Sequence, residues 1–338
     1  MGLRYVLLRV VASATMAAAA TLVVFLVAHT VPADPVLAQL GDKQSGNPET
    51  VARFRARWGL DRPLPEQYAM FLARLVRGDL GESIASHRPV LDDIRQYVPA
   101  TIELATSAGV LTILIGVPLG VAAAVRRDGV VDHVARLVCL IGVSAPTFWL
   151  AFIVLALFYG GLQIAPSPGR LAVAAGAPPH VTGLFVVDGL LAGDWGTVRS
   201  ALAHLVLPSL VLAASTVGIV TRTTRAAMLE TLGQDYVRTA RAKGLGERGV
   251  VRHHALPNAL VPILTLAGLA YAELLAGTVL TETIFSWPGL GRYTYQSALA
   301  IDFPAIMGVT FLVALMYLAI NLVVDVAYLF VDPRVTRR

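Results

Sequence analysis

Cysteine is almost absent from this chain of 338 residues: there is one, Cys139. A lone thiol excludes an internal disulfide and leaves the redox compartment unread. Charge is scarce too, at 14% Asp, Glu, Lys and Arg against 56% hydrophobic residues and a mean hydropathy of +0.68. The core of one soluble domain cannot hide that much apolar surface, so the composition implies an integral membrane protein. Lysine occurs only as Lys43 and Lys243, preceded by Asp42 and Ala242. Neither completes the Gly-Lys-Ser/Thr phosphate cradle, which excludes a P-loop. The seven histidines contain no His-Glu-x-x-His, and His253-His254 are adjacent rather than one helical turn apart. Gly-x-Ser-x-Gly is missing as well. No catalytic, cofactor-binding or metal site is recognisable, so any ATP-driven work must borrow hydrolysis from another subunit.

What is present is a set of long apolar runs. Crossing a bilayer takes roughly 20 residues of helix, and six stretches qualify: Val10–Ala28, Leu104–Val125, Leu137–Gln163, Ser200–Thr221, Ala259–Phe285 and Phe303–Val324. Pro118, Pro146, Pro208 and Pro262 fall inside them, which neighbouring helices can accommodate. The runs lack the two-residue alternation of a lipid-facing barrel, so the fold class is all-α. Arg4 and Arg9 ahead of an alanine-rich run also suit a secretory signal. However, the apolar run exceeds the usual signal core and Ala28-His-Thr-Val-Pro is a poor cleavage site, so a retained span is expected.

Basic residues orient the spans. They cluster at the N-terminus, at Arg126, Arg127 and Arg136, at Arg222 to Arg252, and at Arg334, Arg337 and Arg338. Both termini are therefore expected in the cytoplasm. The net charge of +5 follows from this bias and calls for no nucleic-acid partner.

The most informative stretch is the basic interruption from Arg222 to Pro257, with Asp235-Tyr-Val-Arg-Thr-Ala-Arg-Ala-Lys-Gly244 inside it. Lying between two spans, it must fold at a membrane surface. Asp235 is expected as an N-cap and Gly244 as the left-handed residue past the last turn. Arg241 and Lys243 in that turn suit the negative end of the helix dipole. Tyr236 and Ala240, one turn apart, are expected to enter a partner's groove, with Arg238 and Arg241 on another face.

These residues resemble the loop of ABC-importer permeases, whose pattern is Glu-Ala-Ala, three residues, Gly, nine residues, Ile-x-Leu-Pro. Here Arg238-Thr239-Ala240, Gly244 and His254-Ala255-Leu256-Pro257 keep both spacings. The departures at Arg238, Thr239 and His254 look like the peptide-permease branch. Leu60-Asp-Arg-Pro-Leu-Pro-Glu-Gln-Tyr68, Gly78-Asp-Leu-Gly81, Pro99-Ala-Thr-Ile-Glu-Leu104, Glu282-Thr-Ile-Phe-Ser-Trp-Pro-Gly-Leu-Gly291 and Asp332-Pro-Arg334 are similar to the B-type subunit of dipeptide and oligopeptide importers. Thr182 to Asp194 resembles the dipeptide subgroup.

The resemblance implies a type I permease fold with a MetI-like core. Residues 1–97 would form the first span and a long extracytoplasmic segment, 98–331 the core with the coupling loop 222–257, and 332–338 a cytoplasmic tail. It implies that residues 235–245 (Asp235, Tyr236, Arg238, Thr239, Ala240, Arg241, Ala242, Lys243, Gly244 and Leu245 among them) dock an ATP-hydrolysing subunit. The implied partners are a homologous permease, two ATPase subunits that bind ATP and Mg, an extracytoplasmic solute-binding protein, and the lipid of a bacterial cytoplasmic membrane. Short peptides are the expected cargo, dipeptides first and oligopeptides next. A nickel or glutathione importer is the alternative within the class, and a gradient-driven secondary transporter or channel the alternative outside it.

Two acids interrupt the fifth run. Glu273 near its middle would lie on the solute path or at the permease interface, or be satisfied by a neighbouring helix. Glu282 is placed with it. Trp287, Pro288 and Gly289 read as an external gate turn, with Trp287 anchored at the membrane interface. Glu103 reads as structural, and His204 and Asn321 as hydrogen-bonding between helices. Phe54, Trp58, Tyr68, Phe71, Leu72 and Leu75 offer an apolar face in the first external segment, either receiving the binding protein or capping the spans.

Overall fold

The computed structural model describes residues 3–30, 48–49, 51–52, 61–173, 175–276 and 278–331. These fall into two compact units, one of Met1–Val98 with Arg292–Met316 and one of Pro99–Gly291 with Tyr317–Arg338. The helices in chain order are α1 (Leu3–Thr30), α2 (Leu64–Val76), α3 (Val90–Val125), α4 (Val130–Ser144), α5 (Thr147–Gly161), α6 (Phe185–Leu191), α7 (Trp195–Leu232), α8 (Asp235–Ala242), α9 (Glu247–Ala276), α10 (Val279–Ile284), α11 (Leu290–Leu299) and α12 (Phe303–Val331). Phe54, Trp58 and residues 332–338 lie outside the described residues.

Four helices among the described residues are long and apolar enough to cross a bilayer, and α4 with α5 makes a fifth when counted as one span. In α1 the corresponding apolar stretch is Ala14–Val23. Two expected spans are redrawn. The third is a pair of helices bent by 99°, because Pro146 has no N–H to continue the ladder and holds Ala145 extended (φ −82°, ψ 126°). The fifth begins at Glu247 and ends at Ala276, and Val279–Ile284 forms a separate short helix. Glu273 consequently sits in the last turn of α9, exposed, and not at mid-span.

In the first unit, α2 turns its aromatic face onto α1. The Phe25 ring lies 5.4 Å from Tyr68 and 6.2 Å from Phe71, and Tyr68 Oη donates to the Ala18 carbonyl at 2.6 Å. Beyond α2, buried carboxylates order the loop at residues 83–86. Asp302 accepts from Ser83 Oγ at 2.5 Å and from the Ala85 N–H at 3.1 Å. Asp93 accepts from Ser86 Oγ at 2.5 Å and Tyr293 Oη at 3.2 Å, while Tyr293 stacks on Tyr97 with centroids 4.8 Å apart. Burial, with Asp93 and Asp302 nearby, pushes the Tyr293 hydroxyl well above its ordinary pKa.

In the second unit α7 is the central post and the most buried of the candidate spans. Asp194 caps it, accepting from the Thr197 N–H at 3.1 Å and Thr197 Oγ1 at 2.6 Å. Its 38 residues give a length of about 57 Å, against about 30 Å of hydrocarbon, so α7 continues well past the membrane. Helices α4, α5, α6 and α9 pack on it, and Thr112 of α3 shares a buried 2.7 Å hydrogen bond with Thr216. His204 and Asn321 bond within their own helices, to the carbonyls of Ser200 and Tyr317, and not between helices.

Candidate functional site

The extension of α7 delivers the chain to α8. Gln234, extended at ψ 150°, occupies the N-cap position, and Asp235 is the first helical residue and not the cap. Its carboxylate still favours the positive end of the helix and takes a hydrogen bond from Arg238 at 3.2 Å. At the far end the Gly244 N–H donates to Arg241 and the Leu245 N–H to Ala240, at 2.9 and 3.3 Å, closing a Schellman motif. Gly244 has φ +83°, a conformation that would strain any other residue.

Val237 and Ala240 face inward and are buried with Val250, against Leu232. Ala240 therefore belongs to the anchored face and does not share the outward face with Tyr236. The reason is the three-residue spacing to Val237, which puts both on one stripe. Exposed on the outside are Tyr236, Arg238, Thr239, Arg241, Ala242, Lys243 and Leu245. Arg241 forks onto Glu247 at 2.7 and 3.0 Å, tying the last turn of α8 to the first turn of α9. Two spans and a surface helix are thus fastened together around an exposed, mainly basic rim.

The turn at 285–289 is a different kind of place. Glu282 is wholly buried, and its Oε1 accepts from Thr101 Oγ1 at 2.6 Å and Thr278 Oγ1 at 2.9 Å. Trp287 is 1% exposed and donates from Nε1 to the Ala100 carbonyl at 2.8 Å. The Leu290 N–H donates to Thr101 Oγ1 at 2.8 Å. A Cβ on Gly289 would lie 2.3 Å from Glu282 Oε1, so only glycine fits beneath the carboxylate. Trp287 is a core residue and not a membrane-interface anchor, and Glu282 braces the turn instead of lining an open path.

Residues 116–337 match the family described as "Binding-protein-dependent transport system inner membrane component", and residues 2–105 match its N-terminal companion, "Binding-prot-dependent transport system membrane comp, N-term". The chain belongs to this family. It is a membrane permease subunit and not itself an enzyme. The protein named "Probable D,D-dipeptide transport system permease protein DdpB" from Escherichia coli K12 is 47% identical over 93% of this chain and 92% of its own length. The dipeptide transport system permease protein DppB of the same strain is 39% identical over 94% of each chain. Among solved structures, an inward-facing form of the MetNI methionine ABC transporter is similar, with TM-score 0.48 and 18% identity over 69% of this chain and 93% of that one.

In this permease the third connection, 164–194, holds residues that composition did not flag. Arg170 is buried and bonds Glu103 Oε2 at 2.5 Å and the Gly183 carbonyl at 3.0 Å, with its guanidinium 3.7 Å over the Phe185 ring. Glu103 Oε1 takes the Val186 N–H at 2.8 Å. Asp188 receives the Thr182 and Gly183 N–H groups, each at 2.8 Å, and Thr182 Oγ1 at 2.7 Å. Burial alone would raise the Asp188 pKa, yet these donors hold it below the ordinary carboxylate range. One signal was available: Arg170 is the only Arg or Lys between 164 and 194.

Proposed function

We propose that this permease subunit serves an ATP-driven importer of short peptides, dipeptides foremost, in a bacterial cytoplasmic membrane. Similarity over more than nine-tenths of two permeases named for dipeptide transport carries the cargo assignment. The remaining partners are a homologous permease, two ATPase subunits holding ATP and Mg, and an extracytoplasmic binding protein. Six spans, cytoplasmic termini and a core running over 98–331 complete the assignment.

Helix α8 is the docking element. Its support is geometric: the inner face is anchored on Leu232 and Val250, so the outer rim of Tyr236, Arg238, Arg241 and Lys243 is held out rigidly toward a partner. When two nucleotide-binding subunits close on ATP, α8 moves with them. Because Val237, Ala240 and the Arg241–Glu247 pair fix α8 to α7 and α9, the spans follow as rigid bodies and the path alternates its access. Glu273, exposed in the last turn of α9, belongs to the path or to the sister-permease face. The turn of Trp287, Pro288 and Gly289, braced by Glu282, keeps its place beside the outer gate.

Arg241→Glu reverses charge on the exposed rim, and Gly244→Val strains the Schellman exit by about 1–2 kcal/mol. Both variants should lower the yield of the four-subunit complex or its peptide-stimulated ATP turnover. Wild-type yield and turnover in both would discard the docking assignment.

A further inference from the structure

Asp132 stands in the first turn of α4 and is wholly buried. Arg225 of α7 forks onto it, Nε to Oδ1 at 2.6 Å and Nη2 to Oδ2 at 2.7 Å. Arg136, one turn along α4, adds bonds of 3.2 and 2.6 Å, and the Asp128 N–H adds one of 3.0 Å. Arg136 also reaches Asp128 Oδ1 at 3.2 Å. Arg127 Nε lies 3.3 Å from Asp128 Oδ2, so three guanidiniums surround the two carboxylates.

Cohesion between α4 and α7 does not need this cluster. A Cβ on Gly142 would lie 2.3 Å from the Ala214 carbonyl oxygen, and one on Gly218 would lie 2.9 Å from that of Cys139. The helices are already in close backbone contact at Cys139 and Gly142. Contacts between small apolar groups are non-directional and permit sliding and rotation. A two-pronged guanidinium–carboxylate pair fixes both distance and rotation, while its desolvation cost leaves little net stabilisation. The pair is therefore suited to holding geometry.

Its position matters as much as its chemistry. Arg225 lies seven residues before the end of α7, about 10 Å along the axis, and α8 begins at Asp235. At its other end, α4 meets the 99° break before α5. Arg136 shares a helix with Asp132, and its other partner, Asp128, lies in the turn just ahead of α4.

We infer that the Asp132–Arg225 pair is the clamp that makes α4 follow α7 when α8 is displaced, so both are positioning residues for coupled transport. The inference rests on the docking of α8 given above. The displacement enters at α8, travels up the extension of α7, and crosses to α4 at the clamp. The Ala145-Pro146 break is where the α4–α5 angle then changes.

The test uses the whole complex in liposomes, with binding protein and a dipeptide. Complex yield, basal ATP hydrolysis and dipeptide imported per ATP are measured for Asp132→Asn, Arg225→Gln and Arg136→Gln. The first two should assemble and hydrolyse ATP at the wild-type basal rate while importing about fivefold less per ATP, the size of an ordinary coupling. Arg136→Gln should match the wild type. The double variant Asp132→Leu with Arg225→Met removes both charges and refills the space, which restores stability but not the fixed geometry. It should stay about fivefold low. Wild-type import per ATP in the single variants, or recovery in the double variant, overturns the clamp. Where the single variants fail to assemble, the double variant decides alone, and failure of all three to assemble counts against the clamp, since the pair would then serve folding only. Docking fails separately, through unaffected assembly and turnover in the Arg241→Glu and Gly244→Val complexes.

Discussion

Gly289→Ala adds a single methyl group to this permease at a place with no room for it. The new Cβ would stand 2.3 Å from Glu282 Oε1 and 2.5 Å from Thr101 Oγ1, where ordinary contact begins at 3.4 Å. Neither neighbour can swing into solvent, because Glu282 and Thr101 are both 0% exposed and bonded to each other at 2.6 Å. A shift of about 1 Å must therefore stretch that bond or the one from the Leu290 N–H. Overpacking a filled interior costs about 1–3 kcal/mol. Displacing a buried hydrogen-bond partner costs about 1–3 kcal/mol more. Together the loss is about 3 kcal/mol, roughly a hundredfold in the folded-to-unfolded ratio. The assay is equilibrium unfolding of the purified subunit in mixed micelles, followed by tryptophan emission, with buried Trp287 contributing to the signal. Gly160→Ala is the control, since a Cβ there meets nothing within 4 Å. If Gly289→Ala unfolds at the same midpoint as the control, the carboxylate does not brace the turn and the reasoning fails.

Other outcomes follow from the third connection. Arg170→Met leaves Glu103 buried without its cation and should cost about 3–5 kcal/mol in the same unfolding assay, whereas Arg170→Met with Glu103→Leu should recover most of it; equal losses in both would refute a pairing role. Because the folded pKa of Asp188 lies below its unfolded value of about 3.9, its contribution is complete above that value and disappears as pH falls through the folded pKa. Proteolysis of residues 164–194 should thus be constant from about pH 5 to 8 and accelerate only below about pH 4. A rise already visible near pH 6 would show that another group governs the loop.

Much of this permease can be read along the chain. Apolar runs report helices directly, because a bilayer tolerates no unpaired backbone. The Gly244 exit was equally legible, since its geometry depends on residues within one turn. The start of α8 differs by one position from the expected one because Gln234 caps without a side-chain bond, and Asp235 is as suitable in a first turn as at a cap. The inward face of α8 differs from the expected one for another reason. Tyr236, Val237 and Ala240 are all compatible with a groove, and only Val250, brought alongside by the turn at Gly246, shows which of them is already covered.

The contrast between Glu273 and Glu282 marks the limit most clearly. Along the sequence they are two acids in one apolar run, with nothing local to separate them. In space one is exposed at a helix end, and the other is sealed against Thr101, 181 positions away. Trp287 likewise suits a membrane interface or a core, and the Ala100 carbonyl settles it. Asp132 and Arg225 are 93 positions apart and both border basic segments, where each reads as ordinary surface charge. The sequence alone determined the membrane class, most of the long apolar helices and the basic segment that ends at Gly244, because each depends on composition or on neighbours within a few residues. Tertiary structure decided which charges are buried and which face of α8 is free, because a side chain's environment is set by whatever the fold brings against it.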